Sequence, residues 1–157
     1  MSWTEIRTLG SLMIAIWAVW LLQTRFLDGW QVVDLPPDQM LSTYVTVIIG
    51  MIVGEILVTT GVSIAGSVLN DATADSADFE DERDQQIERR AGIISHWFII
   101  TVVNVLALRL IMQETYSSSV LSPLAIVSTS GIVFTLLALL FAAHIVKMVA
   151  TLVLYRV

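Results

Sequence analysis

The chain has no cysteine, three prolines and two histidines in 157 residues. Without cysteine there is no disulfide, no thiol nucleophile and no Cys-ligated zinc. Charge is scarce as well: 14% of the residues are Asp, Glu, Lys or Arg, against roughly 25% in an average globular chain. There is no Gly-rich phosphate loop, no H-E-x-x-H, no Ser/His/Asp set and no basic patch for nucleic acid. These absences argue against an enzyme and against direct nucleic-acid binding, and no cofactor is expected.

What the chain does have is apolar length. It is 56% hydrophobic, with a mean hydropathy of +0.81. A soluble domain this short has too little interior to hide so much apolar surface, so its solvent must be the lipid bilayer. A helix crosses the hydrocarbon core with about 20 mostly apolar residues, and four windows qualify: 9–27, 44–69, 93–112 and 121–146. The expected fold is all-α, a polytopic membrane protein built as a four-transmembrane-helix bundle. The first window lacks a small-x-small cleavage site and reads as a retained span, not a signal peptide.

The connections are short. Asp28-Gly29 and Pro36-Pro37 carry turn chemistry between the first two spans, and Pro123 suits the first turn of the fourth. Trp30, Tyr44, Trp97, Tyr116 and Tyr155 fall near span ends, where an aromatic belt is expected. With the N-terminus inside, Arg7, Arg83, Arg89, Arg90, Lys147 and Arg156 face inward, and Arg25 and Arg109 face outward. Six against two predicts both termini on the cytoplasmic side of a prokaryotic inner membrane.

Charge is concentrated in residues 70–92, "NDATADSADFEDERDQQIERRAG". This segment holds eight of the fourteen acidic residues and three of the eight Lys and Arg, a net charge of −5 in a chain of −6. From Asp78 onward it reads as a helix. Asp78 can cap the start with Asp81 reaching back, acids crowd the beginning and Arg89-Arg90 the end, and no proline intervenes before Ile93. The helix is expected to run straight into the third span as a cytoplasmic extension. Asp81, Asp84 and Glu88 share one face of it; Phe79, Arg83, Ile87 and Arg90 share another. Three carboxylates on one face offer a divalent cation a site in principle, but they are more simply a solvated face.

"DERDQQIERRAG" leading into a span resembles the DERD-x-x-I-E-x-R signature of a group of small prokaryotic multi-span membrane proteins. The resemblance covers about residues 80–97, through Asp81, Glu82, Arg83, Asp84, Ile87, Glu88 and Arg90; His96 departs from the pattern. It implies short helical membrane proteins, some encoded beside small helix-turn-helix regulators, and brings no established activity. On this reading the acidic helix is a docking arm for a cytoplasmic partner such as a small DNA-binding regulator, steered by charge.

Inside the membrane, Glu55 lies midway along the second span, where a charged carboxylate costs at least a few kcal/mol. Thr59 and Ser63 extend its polar face. Arg109 in the third span can snorkel outward or reach toward Glu55, and Asn104 is expected to donate to a neighbouring helix. A packing role for Glu55 is the plainer reading, and a small proton or cation channel or transporter is the functional alternative. His96 and His144 fall at the inner ends of their spans, a common depth that permits a bis-His haem or metal pair. Gly50, Gly54, Gly61 and Ala65 form one small-residue stripe, open to internal packing or to the seam of a homodimer.

Overall fold

The computed structural model describes residues 3–29, 31–70, 82–115 and 128–156. Four helices dominate it: α1 (Trp3–Phe26), α2 (Pro37–Asn70), α3 (Glu82–Thr115) and α4 (Thr129–Arg156). All four are long and apolar enough to cross a membrane, and the protein is an all-α, multi-pass membrane protein. A two-residue hairpin, β1 (Leu27–Asp28) and β2 (Gln31–Val32), joins α1 to the approach of α2. Its tight reversal rests on Gly29, whose φ of 64° is one that side chains with a Cβ rarely adopt.

Each helix is longer than the window expected for it. Hydropathy marks the apolar middle, while helix ends are set by hydrogen bonding and caps. Pro37 opens α2 with its ring in the first turn, where a missing N–H costs nothing, seven residues before the apolar run at Tyr44. As expected, α3 passes without a break from the charged segment into its span. The largest offset is in α4, which starts at Thr129 and ends at Arg156 rather than near Val146. Lys147, which marks the inner end of the window, instead donates to Glu88 Oε1 at 3.0 Å, and the helix continues past it. The expectations placed on Trp30, Asp78, Phe79, Tyr116 and Pro123 lie outside the described residues.

The helices are arranged as α2–α1–α4–α3, with α1 and α4 at the centre and, among the described residues, no extensive contact between α2 and α3. On α1 the buried positions Thr8, Ser11, Ala15, Ala18, Leu22 and Phe26 recur at intervals of three and four, the spacing of one helix face. Toward the hairpin end that face packs into a hydrophobic core of Ala18, Leu22, Phe26, Val47, Leu137 and Phe141. There Leu35 N–H donates to the buried Ser130 hydroxyl at 3.0 Å, tying the segment before α2 to the start of α4.

On α3, Ile87, Ala91 and Ser95 are one turn apart and face α4. Ile87 and Ala91 are buried, and Ser95 donates to the Ala143 carbonyl at 2.8 Å. Small residues on both helices allow this close approach. The opposite faces are apolar and exposed, with Met13, Leu41, Leu57, Trp97, Val105 and Leu136 all more than half accessible. In a membrane protein, lipid covers such faces.

Candidate functional site

Toward the end where Thr4 of α1, Asp84 of α3 and Tyr155 of α4 meet, the helix faces turn polar. Thr4, Arg7, Thr8 and Ser11 form one stripe on α1; His144, Lys147, Met148, Thr151 and Tyr155 form another on α4. Both follow helical spacing, which puts each set on one face. With Glu55 from α2 and Asp84 and Glu88 from α3, these stripes line a cavity of about 410 Å³. The four helices therefore enclose an apolar core toward one end and a polar vestibule toward the other.

The vestibule ends on Glu55 and His144. Ser11 Oγ donates to Glu55 Oε2 at 2.8 Å. Glu55 Oε1 faces His144 Nε2 at 3.6 Å, within ion-pair range but too long for a hydrogen bond. Both atoms are shut off from solvent and have no hydrogen-bond partner, although the two side chains as wholes are 33% and 31% accessible. A buried polar atom without a hydrogen bond is costly, and each of these two has only the other within ion-pair range. The arrangement permits a proton to pass between Nε2 and Oε1.

The mouth is held by polar contacts between elements. Thr4 Oγ1 donates to Asp84 Oδ2 at 3.1 Å, and the Tyr155 hydroxyl is within hydrogen-bonding reach of both residues. Across the opening, Lys147 pairs with Glu88. Thr8 and Thr151 donate to carbonyls of their own helices, Thr4 at 2.7 Å and Lys147 at 2.9 Å, leaving their lone pairs toward the cavity. Arg7 lines the cavity with no ion-pair or hydrogen-bond partner among the described residues. The lining holds three carboxylates and two permanent cations, an excess of one negative charge when His144 is neutral.

Several expectations are revised by this geometry. Part of the acidic face of α3 meets the bundle: Asp84 bonds α1 and Glu88 pairs with Lys147 of α4 while staying exposed, Ile87 is buried, and Arg83, Arg89 and Arg90 are exposed. The side chains of Asp81 and Glu82 lie outside the described residues, as does that of Arg109. His96 and His144 do not pair; His96 is exposed and off the vestibule, while His144 lies mid-helix against Glu55. Asn104 donates to Ile100 of its own helix at 2.8 Å and is exposed, so it does not bridge helices. Ser63 bonds the Thr59 carbonyl at 2.8 Å, and neither residue reaches the cavity. Tyr155, expected in an interfacial belt, lines the vestibule.

The glycine stripe is used inside the chain. A Cβ on Gly50 would lie 2.5 Å from the Trp17 ring, and one on Gly54 2.9 Å from Ile14, so both glycines let α1 approach α2. A dimer seam through these two positions would need space that α1 already fills. Gly61 has nothing within 4 Å of a would-be Cβ, and Ala65 is half-buried on the same helix.

Composition did not point to the α1 stripe because its threonines and serine are mild interruptions of an apolar run. The signal was their spacing, at positions 4, 8 and 11 with Arg7 between them. Among the described residues no three His, Asp or Glu side chains converge as a metal-ligand set. The chain matches no protein-family model, no curated protein and no solved structure, so its own residues carry the functional reading.

Proposed function

We propose that the chain is a protein of the prokaryotic inner membrane, with both termini in the cytoplasm, that admits a proton or small cation through a cytoplasm-facing vestibule to Glu55 and His144. One observation carries this reading: Glu55 Oε1 and His144 Nε2 face each other at 3.6 Å at the inner end of a polar cavity, buried and without a hydrogen bond. A carboxylate at that depth is costly unless neutralised, and a single positive charge balances the lining. An imidazole and a carboxylate facing each other offer a proton one site on each side chain. No catalytic step is assigned.

The polar contacts of α3 favour the vestibule over a docking arm. An arm for a cytoplasmic regulator needs its acidic face free, whereas Asp84 is bonded to Thr4, and Glu88, though two-thirds accessible, is paired with Lys147. The cytoplasmic orientation rests on the six-to-two distribution of Lys and Arg. A reporter fused after Val157 should be active only on the cytoplasmic side.

The direct test is flux in liposomes containing the purified protein, under imposed proton and cation gradients. The expected result is a flux present in the unaltered chain and abolished by Glu55→Gln, which keeps the shape and removes the charge. Absence of flux under every gradient would end this reading.

A further inference from the structure

Midway along its span, α3 turns a carboxamide toward lipid. From Ile93, where the apolar window begins, to Asn104 is about 17 Å of helix at 1.5 Å per residue, in a hydrocarbon core about 30 Å thick. Asn104 is exposed. Its Nδ2 donates to the Ile100 carbonyl at 2.8 Å, and it makes no other hydrogen bond among the described residues. A carboxamide has two N–H groups to give and an oxygen with two lone pairs. One N–H and the oxygen are therefore left to hydrocarbon, which offers neither a partner. Outward-facing hydroxyls do not share this deficit: Thr46, Ser63 and Thr101 each give their one hydrogen to a carbonyl of their own helix.

We propose that two copies of the chain associate through α3, with the two Asn104 carboxamides hydrogen-bonded to each other. This goes beyond the vestibule reading and does not rest on it.

The face around Asn104 has the spacing for such a seam. Ile93, Trp97, Ile100, Asn104 and Ala107 follow at alternating intervals of four and three, the repeat of two helices packed side by side. Ile93, Trp97 and Ile100 are 50%, 63% and 36% accessible, and Ala107 is exposed like Asn104. At 3.6 residues per turn this row lies on the side of α3 turned away from Ile87, Ala91 and Ser95, which face α4. Joining two copies along it displaces no helix of either bundle. Ala107, one turn from Asn104, is small enough to let the two backbones come close beside the amides.

The occupant follows from the amide and the membrane together. All copies are inserted the same way round, so a closed pair has its two-fold axis along the membrane normal. Residues beside that axis meet their own counterparts at one depth. A carboxamide is complementary to itself, because the free N–H of each copy fits the oxygen of the other. A lone Asn in an apolar seam also fixes register and limits the number of helices that join. The small-residue stripe of α2 has no such argument, since α1 already fills Gly50 and Gly54.

The chain has no cysteine, so single cysteines report contacts without background. In proteoliposomes, Trp97→Cys, Ile100→Cys and Ala107→Cys should each give a disulfide-linked dimer on oxidation. Leu57→Cys on α2 and Leu136→Cys on α4, at positions 67% and 62% accessible, should not. These variants all keep Asn104, so the pattern does not depend on how a substitution there folds. Asn104→Leu puts a residue at home in lipid on the same face. By energy transfer between labelled copies, it should weaken association about tenfold, the loss of two modest interhelical hydrogen bonds. Asn104→Gln keeps the carboxamide and should retain most of the association. Cross-linking no stronger on α3 than on α2 and α4, a monomer at every protein-to-lipid ratio, or association unchanged by Asn104→Leu overturns the proposal.

Discussion

Glu55 Oε1 on α2 and His144 Nε2 on α4 lie 3.6 Å apart, although their helices make no extensive contact with each other. The pair is supported from a third helix, because Ser11 of α1 donates to the other carboxylate oxygen. Ser11→Ala removes the donor and leaves Glu55 Oε2 without its partner. The expected cost is about 1–3 kcal/mol, read as a lower unfolding midpoint in mixed detergent. An unchanged midpoint would remove Ser11 from the groups that hold the carboxylate.

Gly50→Ala and Gly61→Ala should differ in outcome. At Gly50 the new methyl meets the Trp17 ring at 2.5 Å, and overpacking of this kind costs about 1–3 kcal/mol. At Gly61 nothing lies within 4 Å, and replacing a helical glycine by alanine gains up to about 1 kcal/mol. Equal effects would contradict the α1–α2 packing described here. Loss of self-association on Gly61→Ala would instead place that end of α2 in a homodimer.

Breaking the pair at the mouth should matter little to stability. Lys147 and Glu88 are 33% and 66% accessible, and exposed ion pairs contribute about 0–1 kcal/mol. Glu88→Gln should therefore shift the unfolding free energy by less than about 1 kcal/mol. A larger loss would mean that this contact, and not Ile87, Ala91 and Ser95, holds α3 to α4.

The sequence by itself determined the number of spans, the helical class and the continuity of α3. Apolar length has one outcome in lipid, where every backbone group must bond within its own helix, and no proline interrupts the chain between Glu82 and Ile93. It also singled out Glu55, because a carboxylate amid an apolar run is anomalous wherever the helix points.

What it left open was which residues meet. Lys147 looked like the end of the fourth span because a lone lysine is costly in lipid; in the structure it sits at the vestibule mouth beside Glu88 and α4 runs on to Arg156, which places His144 mid-helix. That Asp84 and Glu88 reach Thr4 and Lys147 was hidden because these partners are 80 and 59 residues away in the chain. The rotation of α2 that aims Glu55 at His144 is set by Trp17 and Ile14 seated on Gly50 and Gly54. Helical periodicity fixes which residues share a face. Which faces come together is decided by side-chain packing between helices, and that exists only in the tertiary structure.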